Sequence, residues 1–273
     1  MPSQTARLAL VALPGQLAAM FAAGALAAQA PPPYPAYAAA QFACARFTER
    51  VRTGVRTETG DRTHRSTIDR EGVWLFHGDA DRSSVALEGW LDTLTVSRVT
   101  DSVSVTPDAG GVLGGRFRGT LASDGRISVE TRPFVPDEVA EIDRVDRALD
   151  DLFPRLPTRV LRVGESWREP PALEIRRVAD SADAAGRPLL RLHLTDHREG
   201  TEQDGDSLPV DQRQVTDETT EISWSRVRGL MDVERHVLVV SVLPPGRVLG
   251  RTVRTTLEQR QRLVRDPDPP PHT

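Results

Sequence analysis

Apolar and polar residues alternate along most of this chain, which is the pattern of strands with one buried face. Phe47, Val51 and Val55 fall on one side of a predicted strand. The other side carries Arg46, Arg50, Arg52 and Arg56. Two later segments repeat the alternation, with Leu190, Leu192 and Leu194 in the first and Leu249, Val253 and Leu257 in the second. The pattern predicts a mainly β protein.

Turn-forming dipeptides separate these predicted strands. Asp124-Gly125 between two short alternating runs is typical of a β-hairpin, and Arg228-Gly229 is predicted to join two longer strands. Pro244-Pro245-Gly246 is predicted to turn the chain into its last strand, and Glu71-Gly72 to separate two strands. Long strands with short connections and one wet face indicate an antiparallel sheet.

One helix is predicted over residues 137–153. Asp137 is a plausible N-cap, and Pro154 and Pro157 would end the helix. Its apolar positions share one helical face: Val139, Ile142, Val145, Leu149 and Leu152. Its carboxylates lie mainly off this face and are interpreted as a wet surface: Asp137, Glu138, Glu141, Asp143, Asp146, Asp150 and Asp151.

The helix would join two strand-rich halves, 44–131 and 158–265. A single strongly curved antiparallel sheet, or incomplete barrel, with this α-helix covering its open face would bury all the apolar faces together. We expect a single domain over 44–265; two separate small β domains are the alternative.

The first residues have the pattern of a secretory signal peptide. Arg7 precedes the apolar runs Leu8–Leu13 and Leu17–Ala28, and Ala25-Leu26-Ala27 fits a cleavage site. We therefore expect residues 1–28 to be a signal peptide of an exported, periplasmic or secreted protein. An uncleaved membrane anchor and a plain core helix are the alternatives. The anchor would be the protein's one link to a membrane.

Proline-rich segments flank the predicted domain. Residues 29–43, which include Pro31–Pro33, are predicted to be a stiff tether, and residues 266–273 a disordered tail. Without residues 1–28 the chain has 34 basic residues, since Arg7 is one of the 35, against 39 acidic ones. This balance argues against nonspecific nucleic-acid binding. The single cysteine, Cys44, makes an internal disulfide impossible and is interpreted as a small buried residue, with an intermolecular bridge as the alternative.

Two segments contain residue types that can bind metal ions. His193 and His197 are four residues apart, but on a strand this separation is about 13 Å, which is too far for one zinc ion. We interpret them as solvated strand residues. The acidic segment around Gly200 and Gly205 does not complete a calcium loop and is interpreted as solvated. It contains Glu199, Glu202, Asp204 and Asp206.

Other residue patterns also favour structural roles. Ser166 lies in Gly-Glu-Ser-Trp-Arg, which lacks the last glycine of a nucleophile elbow. The arginines beside Phe47 and Val51 are expected on an outer strand face, neutralised by neighbouring acids. The four tryptophans are expected to fill the core: Trp74, Trp90, Trp167 and Trp224. No catalytic residue, cofactor site or metal site is predicted.

One segment resembles a known family. Leu156-Pro157, Val160 and Val163-Gly164-Glu165-Ser166-Trp167 are similar to an LP…VxVG[DE]SW signature of uncharacterised exported bacterial proteins rich in β structure. The resemblance implies a β-rich exported protein and no catalytic residues, because the family has no established activity. The architecture is also similar, by analogy, to periplasmic lipoprotein carriers, which are half-barrels closed by helices.

Three functions follow in order of preference. The first is a noncatalytic exported protein that binds an apolar or amphipathic ligand, such as a lipid, in its curved sheet. The second is a structural or interaction module of the bacterial envelope, and the third a hydrolytic enzyme. An apolar cavity of roughly 300 Å³ or more between sheet and helix would favour the first. A packed interior would rule out such a carrier.

Overall fold

A computed structural model describes residues 34–81, 83–101, 103–202, 212–245 and 250–267. In this part of the chain thirteen strands form one antiparallel sheet. The strands are β1 (Ala45–Thr59), β2 (Arg62–Asp81), β3 (Ser84–Thr100), β4 (Val103–Val105), β5 (Phe117–Ala122), β6 (Ile127–Thr131), β7 (Ser166–Glu169), β8 (Leu173–Arg177), β9 (Ser181–Ala182), β10 (Pro188–Glu202), β11 (Gln212–Ser225), β12 (Gly229–Leu243) and β13 (Val253–Arg265). The helical elements are α1 (Asp137–Ala140) and 3-10 helices at Ala39–Phe42, Gly110–Val112 and Val145–Arg147.

The strand order is β6-β5-β3-β2-β1-β13-β12-β11-β10-β8-β7, with β4 beside β3 and β9 beside β10. β1 pairs with β13 over thirteen residues, so the two strand-rich halves belong to one sheet. The end strands β6 and β7 are not paired with each other in the described structure, so the sheet stays open. The prediction of a mainly β, antiparallel, incompletely closed sheet is confirmed.

Three of the predicted turns lie where the strands reverse. Asp124-Gly125 connects β5 to β6, Arg228-Gly229 connects β11 to β12, and Pro244-Pro245 follow β12. The turn predicted at Glu71-Gly72 is wrong, because β2 runs through both residues. A Cβ atom on Gly72 would lie 3.0 Å from the carbonyl oxygen of Thr93, so glycine is needed here for close approach of β3.

The predicted helix over 137–153 is also wrong in conformation. Only α1 is α-helical; the chain continues through turns and the 3-10 helix at Val145–Arg147. Arg144 leaves helical geometry at φ −79° and ψ 58°, and the adjacent Asp143 carboxylate accepts a hydrogen bond from Arg70 of β2 at 2.7 Å. The many aspartates of this segment give it a low helix propensity. The contact between Asp143 and Arg70 can therefore hold the backbone in a non-helical conformation at Arg144. The apolar positions of the segment are nevertheless buried: Val139, Ile142, Val145, Leu149 and Leu152.

We call residues 137–157 the cover, because they lie over the inner face of the sheet. The inner face is the one that buries Phe47 and Trp74. Ring centroids of neighbouring aromatic side chains there lie 5.1–6.3 Å apart. This cluster consists of Tyr37, Phe42, Phe47, Trp74, Phe76, Phe117, Phe153 and Trp224. Side chains therefore fill the space between the sheet and the cover.

The tether prediction for residues 29–43 does not fit the part that is described. Tyr37 and Phe42 are 3% and 1% exposed, and the Tyr37 hydroxyl donates a hydrogen bond to the carbonyl of Pro154 at 3.1 Å. The burial of these two aromatic rings attaches the segment to the core, so it is not a free tether despite its prolines. Residues 29–33 and the predicted signal peptide, 1–28, lie outside the described residues.

Two smaller predictions at the ends of the sheet change as well. Cys44 is exposed rather than buried, because the inward alternation of β1 begins at Ala45 and directs the preceding side chain outward. The predicted tail begins later than residue 266, since the Asp266 amide donates to the carbonyl of Arg46 at 2.9 Å. Residues 268–273 lie outside the described part.

Candidate binding groove on the inner face

Cross-strand pairing arranges the inner-face side chains in rows that run across the sheet. Residues two apart on a strand lie in successive rows, about 6.5–7 Å apart. The first two rows beyond the aromatic cluster contain Leu263 and Gln261 of β13 and are buried. The next two rows are mostly half-buried, although Asp196 in the first is buried and Arg198 in the second is exposed. We call them the groove row (Ile68, Thr53, Gln259, Val237, Glu218 and Asp196) and the apolar row (Ser66, Val55, Leu257, Val239, Thr216 and Arg198).

Three arginines of the sheet bond the rim of the cover where these rows begin. Arg70 pairs with the Asp143 carboxylate, and Arg98 donates to the carbonyl of Glu141 at 3.2 Å. Arg235 of β12 donates to the carbonyl of Asp151. These bonds fix the rim of the cover beside the groove row, where Asp143 and Asp151 line one cleft together with Val237 and Gln259.

A buried charged network lies behind this rim. The carboxylate of Glu49, fully buried, accepts hydrogen bonds from Arg70 Nη2 at 3.0 Å, Trp74 Nε1 at 2.9 Å and Gln261 Nε2 at 2.7 Å. Arg70 is 7% exposed and bridges Glu49 to Asp143. The Glu49 carboxylate is satisfied, although Arg70 Nε is buried without a hydrogen-bond partner among the described residues. The network holds the sheet to the cover, so we assign it a structural role.

Two clefts follow the rim of the cover. The larger, about 670 Å³, lies between Asp150–Arg155 of the cover, the turn between β7 and β8, and strands β10–β12. The smaller, about 350 Å³, extends along Asp143–Ala148 to Val237 and Gln259 of the groove row. The two share Asp151, Arg198, Glu218 and Arg235 as lining residues. They therefore lie side by side, and we call them together the rim groove.

Most charges of the rim groove are already paired. Arg235 pairs with Glu218 at 3.0 Å, and Arg198 pairs with Asp196, which raises the pKa of Arg198 through their hydrogen bond. At the open side of the sheet, Glu169 of β7 accepts hydrogen bonds from Arg126, which precedes β6, at 2.6 Å and from Arg155 at 2.5 Å. This cluster spans the gap between the two end strands.

Arg147 differs from these groups. Its exposed guanidinium lines the smaller cleft and makes no hydrogen bond or close ion pair with the described residues, although its charge acts on the carboxylate of Asp146. Its neighbour Arg144 is paired with Asp146, and this hydrogen bond holds the pKa of Asp146 below its ordinary value. Asp151 on the same rim faces both clefts, and its carboxylate is exposed.

The floor of the groove becomes apolar one row further on. Val55, Leu257 and Val239 lie directly opposite one another on β1, β13 and β12, and each is half-buried. Ile68 and Val237 adjoin them in the groove row. A charged wall and an apolar floor therefore run parallel.

His193 and His197 of β10 each contact a carboxylate of the neighbouring strand β11. His193 Nδ1 lies 2.6 Å from Glu221, and His197 Nδ1 lies 2.6 Å from Asp217. The hydrogen bond with Asp217 raises the pKa of His197. The described residues hold no group of three metal-ligating side chains, and the two histidines lie on a strand as predicted. Asp204 and Asp206 of the acidic segment lie outside the described residues.

The other candidates occupy surface or turn positions. The Ser166 hydroxyl hydrogen-bonds the carboxylate of Glu174 and so lowers the pKa of Glu174. Gly164 of the family-like segment is a turn residue at φ +88°. The outer-face arginines are ion-paired as predicted: Arg46 with Asp92, Arg50 with Glu71, Arg52 with Asp69 and Arg56 with Glu58.

Two of the four tryptophans fill the core and two do not. Trp74 and Trp224 are buried, as predicted, whereas Trp90 and Trp167 are half-buried. The Arg116 guanidinium lies 3.7 Å from the Trp90 ring centroid. This cation–π contact covers the ring on the surface of the sheet.

Sequence reasoning missed the residues that line the rim groove. One signal was present, because residues 237–243 of β12 are apolar at consecutive positions except Ser241. Such a run departs from alternation and is typical of a strand covered on both faces. In the described part of the chain, no helix is long and apolar enough to cross a membrane.

Comparison with known proteins identifies no family. No family model matches the sequence, and no curated protein matches it. The chain is similar to lipovitellin, from a structure on its lipid–protein interactions, at 10% identity and a TM-score of 0.44 over 84% of this chain. This match spans 26% of the lipovitellin chain, about a quarter of its length. A match to MucB in complex with MucA(peri) has 11% identity and a TM-score of 0.14 over 80% of this chain and 88% of that one.

Proposed function

We propose that this chain is an exported, noncatalytic binding protein that takes an amphipathic ligand in the rim groove. The observation that carries the proposal is the parallel arrangement of a charged wall and the half-buried apolar row. A ligand with one polar and one apolar side would contact both at once. Side chains fill the space beneath the cover, which counts against the enclosed carrier that the sequence predicted, so we place the ligand along the rim instead.

The size of the apolar floor favours a small ligand over a protein surface. The floor consists of five aliphatic side chains, each already half-buried. A stable protein–protein contact buries about 800 Å² on each partner, with an apolar centre. Five partly covered side chains bordered by ion pairs do not supply such a centre, whereas they can hold one acyl chain.

Export is part of the same proposal. It rests on the apolar segment that ends in Ala25-Leu26-Ala27 and on the resemblance of residues 156–167 to exported β-rich proteins. Expression in the native host, followed by fractionation and intact-mass measurement, tests it. A mass starting near Ala28 supports cleavage; the full-length mass in the cytoplasm contradicts export.

The binding experiment compares the two faces of β12. Val239 and Leu257 are replaced together by threonine, which keeps strand propensity, and the control replaces Val240 and Val242, which lie on the outer face of β12. Binding is measured from the fluorescence of a fatty acid that carries a fluorophore. The inner-face variant should bind about tenfold more weakly, since Val239→Thr replaces a methyl group with a hydroxyl and Leu257→Thr leaves two fewer carbon atoms at partly covered positions.

The outer-face control should bind like the unchanged protein. The proposal is wrong if the probe does not bind the unchanged protein, or if both double variants lose affinity equally. Native mass spectrometry of protein purified from its own host supplies a second test. A co-purified amphiphile supports the proposal, and a bound metal ion contradicts it.

An interaction module of the envelope is the second candidate, favoured by the unpaired edges of β6 and β7. Each edge exposes backbone groups to which a partner strand could add. Proline substitution at Val129 of β6 should abolish capture of such a partner by cross-linking in the host. A partner captured equally well by the proline variant would exclude the edge as its binding site.

A further inference from the structure

We infer that the rim groove selects amphiphiles with an anionic headgroup and that Arg147 contacts this headgroup. The inference rests on the proposed function, because it assigns a chemical class to the ligand of the same groove. It would place the headgroup on the cover and the acyl chain along the apolar row.

Pairing of the other guanidinium groups singles out Arg147. Arg70, Arg198 and Arg235 of the groove pair with Asp143, Asp196 and Glu218, respectively. Arg126 and Arg155 share Glu169. Arg147 has hydrogen-bonding capacity that the described residues do not use, and a carboxylate or phosphate is the group that a guanidinium fork binds best.

The charges around this end of the groove nearly balance, because Glu49, Asp146 and Asp196 also pair with its arginines, so the preference for an anion rests on Arg147 itself. The smaller cleft is lined by five arginines (Arg70, Arg144, Arg147, Arg198 and Arg235) and three acids (Asp143, Asp151 and Glu218). The outer two arginines, Arg144 and Arg147, lie on the cover, where solvent reaches them. Asp151 opposes anion binding, because its exposed carboxylate makes no hydrogen bond or ion pair with the described residues.

The spacing of rows allows one molecule to reach both parts of the groove. Val237 lines the smaller cleft with Arg147, and Val239 lies in the next row, about 7 Å further along β12. From Val239 the apolar row continues across Leu257 to Val55, which spans about 10 Å between three strands. A headgroup at Arg147 therefore leaves an attached chain over the apolar row.

The experiment compares ligands that share a chain and differ in headgroup charge. Dodecanoate, dodecanol and dodecyltrimethylammonium each displace the fluorescent fatty acid from the full mature chain, and their dissociation constants are compared. We expect dodecanoate to bind about tenfold more tightly than dodecanol, because one charge-assisted hydrogen bond to Arg147 can supply an affinity difference of this size. Arg147→Gln should remove this preference while leaving dodecanol binding unchanged.

Two further variants sharpen the test. Asp151→Asn should tighten dodecanoate binding and leave dodecanol binding unchanged, because it removes a repulsive carboxylate. Arg65→Gln is the matched control, since Arg65 is an exposed arginine outside the groove; it should keep the tenfold preference. Urea unfolding confirms that each exposed substitution leaves the fold intact.

The outcomes separate this inference from the function on which it rests. Equal binding of dodecanoate and dodecanol, tighter binding of the ammonium compound, or an unchanged preference in Arg147→Gln overturns the anionic headgroup while the amphipathic groove stands. Failure of all three compounds to bind overturns the proposed function and the headgroup assignment with it.

Discussion

Replacing Glu49 with leucine should lower the free energy of unfolding by about 3–5 kcal/mol. Glu49 is fully buried, and its carboxylate is the acceptor for Arg70, Trp74 and Gln261. Leucine removes the acceptor and leaves donors of Trp74 and Gln261 buried without partners. Each unsatisfied neutral donor costs about 1–3 kcal/mol.

The remaining cost comes from Arg70. Its guanidinium loses Glu49 but keeps the hydrogen bond of Nη1 to Asp143 at 2.7 Å. Asp143 is partly exposed, with 21% of its side-chain area accessible. Arg70 therefore retains one partly hydrated partner rather than none, which keeps the total near 3–5 kcal/mol instead of the sum of all separate losses.

Urea unfolding followed by far-UV circular dichroism measures this change, with tryptophan fluorescence as a second probe of two-state behaviour. Glu71→Leu is the control, because Glu71 pairs with Arg50 on the outer face, where the two side chains are 57% and 71% exposed. It should change stability by less than about 1 kcal/mol. Combining Glu49→Leu with Arg70→Met should recover part of the loss, since it removes the charge left behind. A loss below about 1 kcal/mol for Glu49→Leu would refute the structural role of the network.

Two further predictions concern a turn and a strand surface. Gly125→Ala should destabilise the protein at least about 1 kcal/mol more than Gly164→Ala, although both glycines have φ near +90°. A Cβ on Gly125 would lie 2.3 Å from the Pro154 carbonyl oxygen, whereas a Cβ on Gly164 would meet nothing within 4 Å. Equal losses of unfolding free energy for the two variants, measured in urea, would exclude the close approach of Gly125 to Pro154. The pKa of His197, measured by NMR, should lie above its ordinary value and fall in Asp217→Asn, because Asp217 stabilises the protonated ring. This stabilisation is present below the unfolded-state pKa and disappears as pH rises through the folded-state pKa, and an unchanged pKa in Asp217→Asn would contradict the assigned pairing.

Local sequence patterns were sufficient for most of the sheet. The alternation at Phe47 and Val51 and the hairpin at Asp124-Gly125 depend on neighbouring residues, and the structure has both. The cover shows the limit of such patterns. The spacing of Val139 and Val145 indicates which side chains are buried, but several backbone conformations bury the same set. Contact of Asp143 with Arg70, distant in sequence, decides among them.

The rim groove could not be predicted in the same way. Val55, Leu257 and Val239 become neighbours only through the pairing of β1 with β13 and of β13 with β12. Alternation within a strand shows which residues share a face, but it does not show which residues of other strands stand beside them. The position where the cover ends is equally non-local, since Arg70, Arg98 and Arg235 come from three strands.

The consecutive apolar residues of β12 have different cross-strand neighbours on the two faces of the sheet. On the outer face, Val242 has Arg254 and Arg213 as its cross-strand neighbours, and the aliphatic stems of arginine can cover apolar surface. On the inner face, Val239 has Leu257 on one side and the short Thr216 on the other. Threonine lacks the length to cover a neighbour, so the inner row stays open beside the rim of the cover. Val240, also on the outer face, lies between Thr256 and Val215 and is covered no better than Val239, so arginine stems cover the outer face of β12 only near Val242.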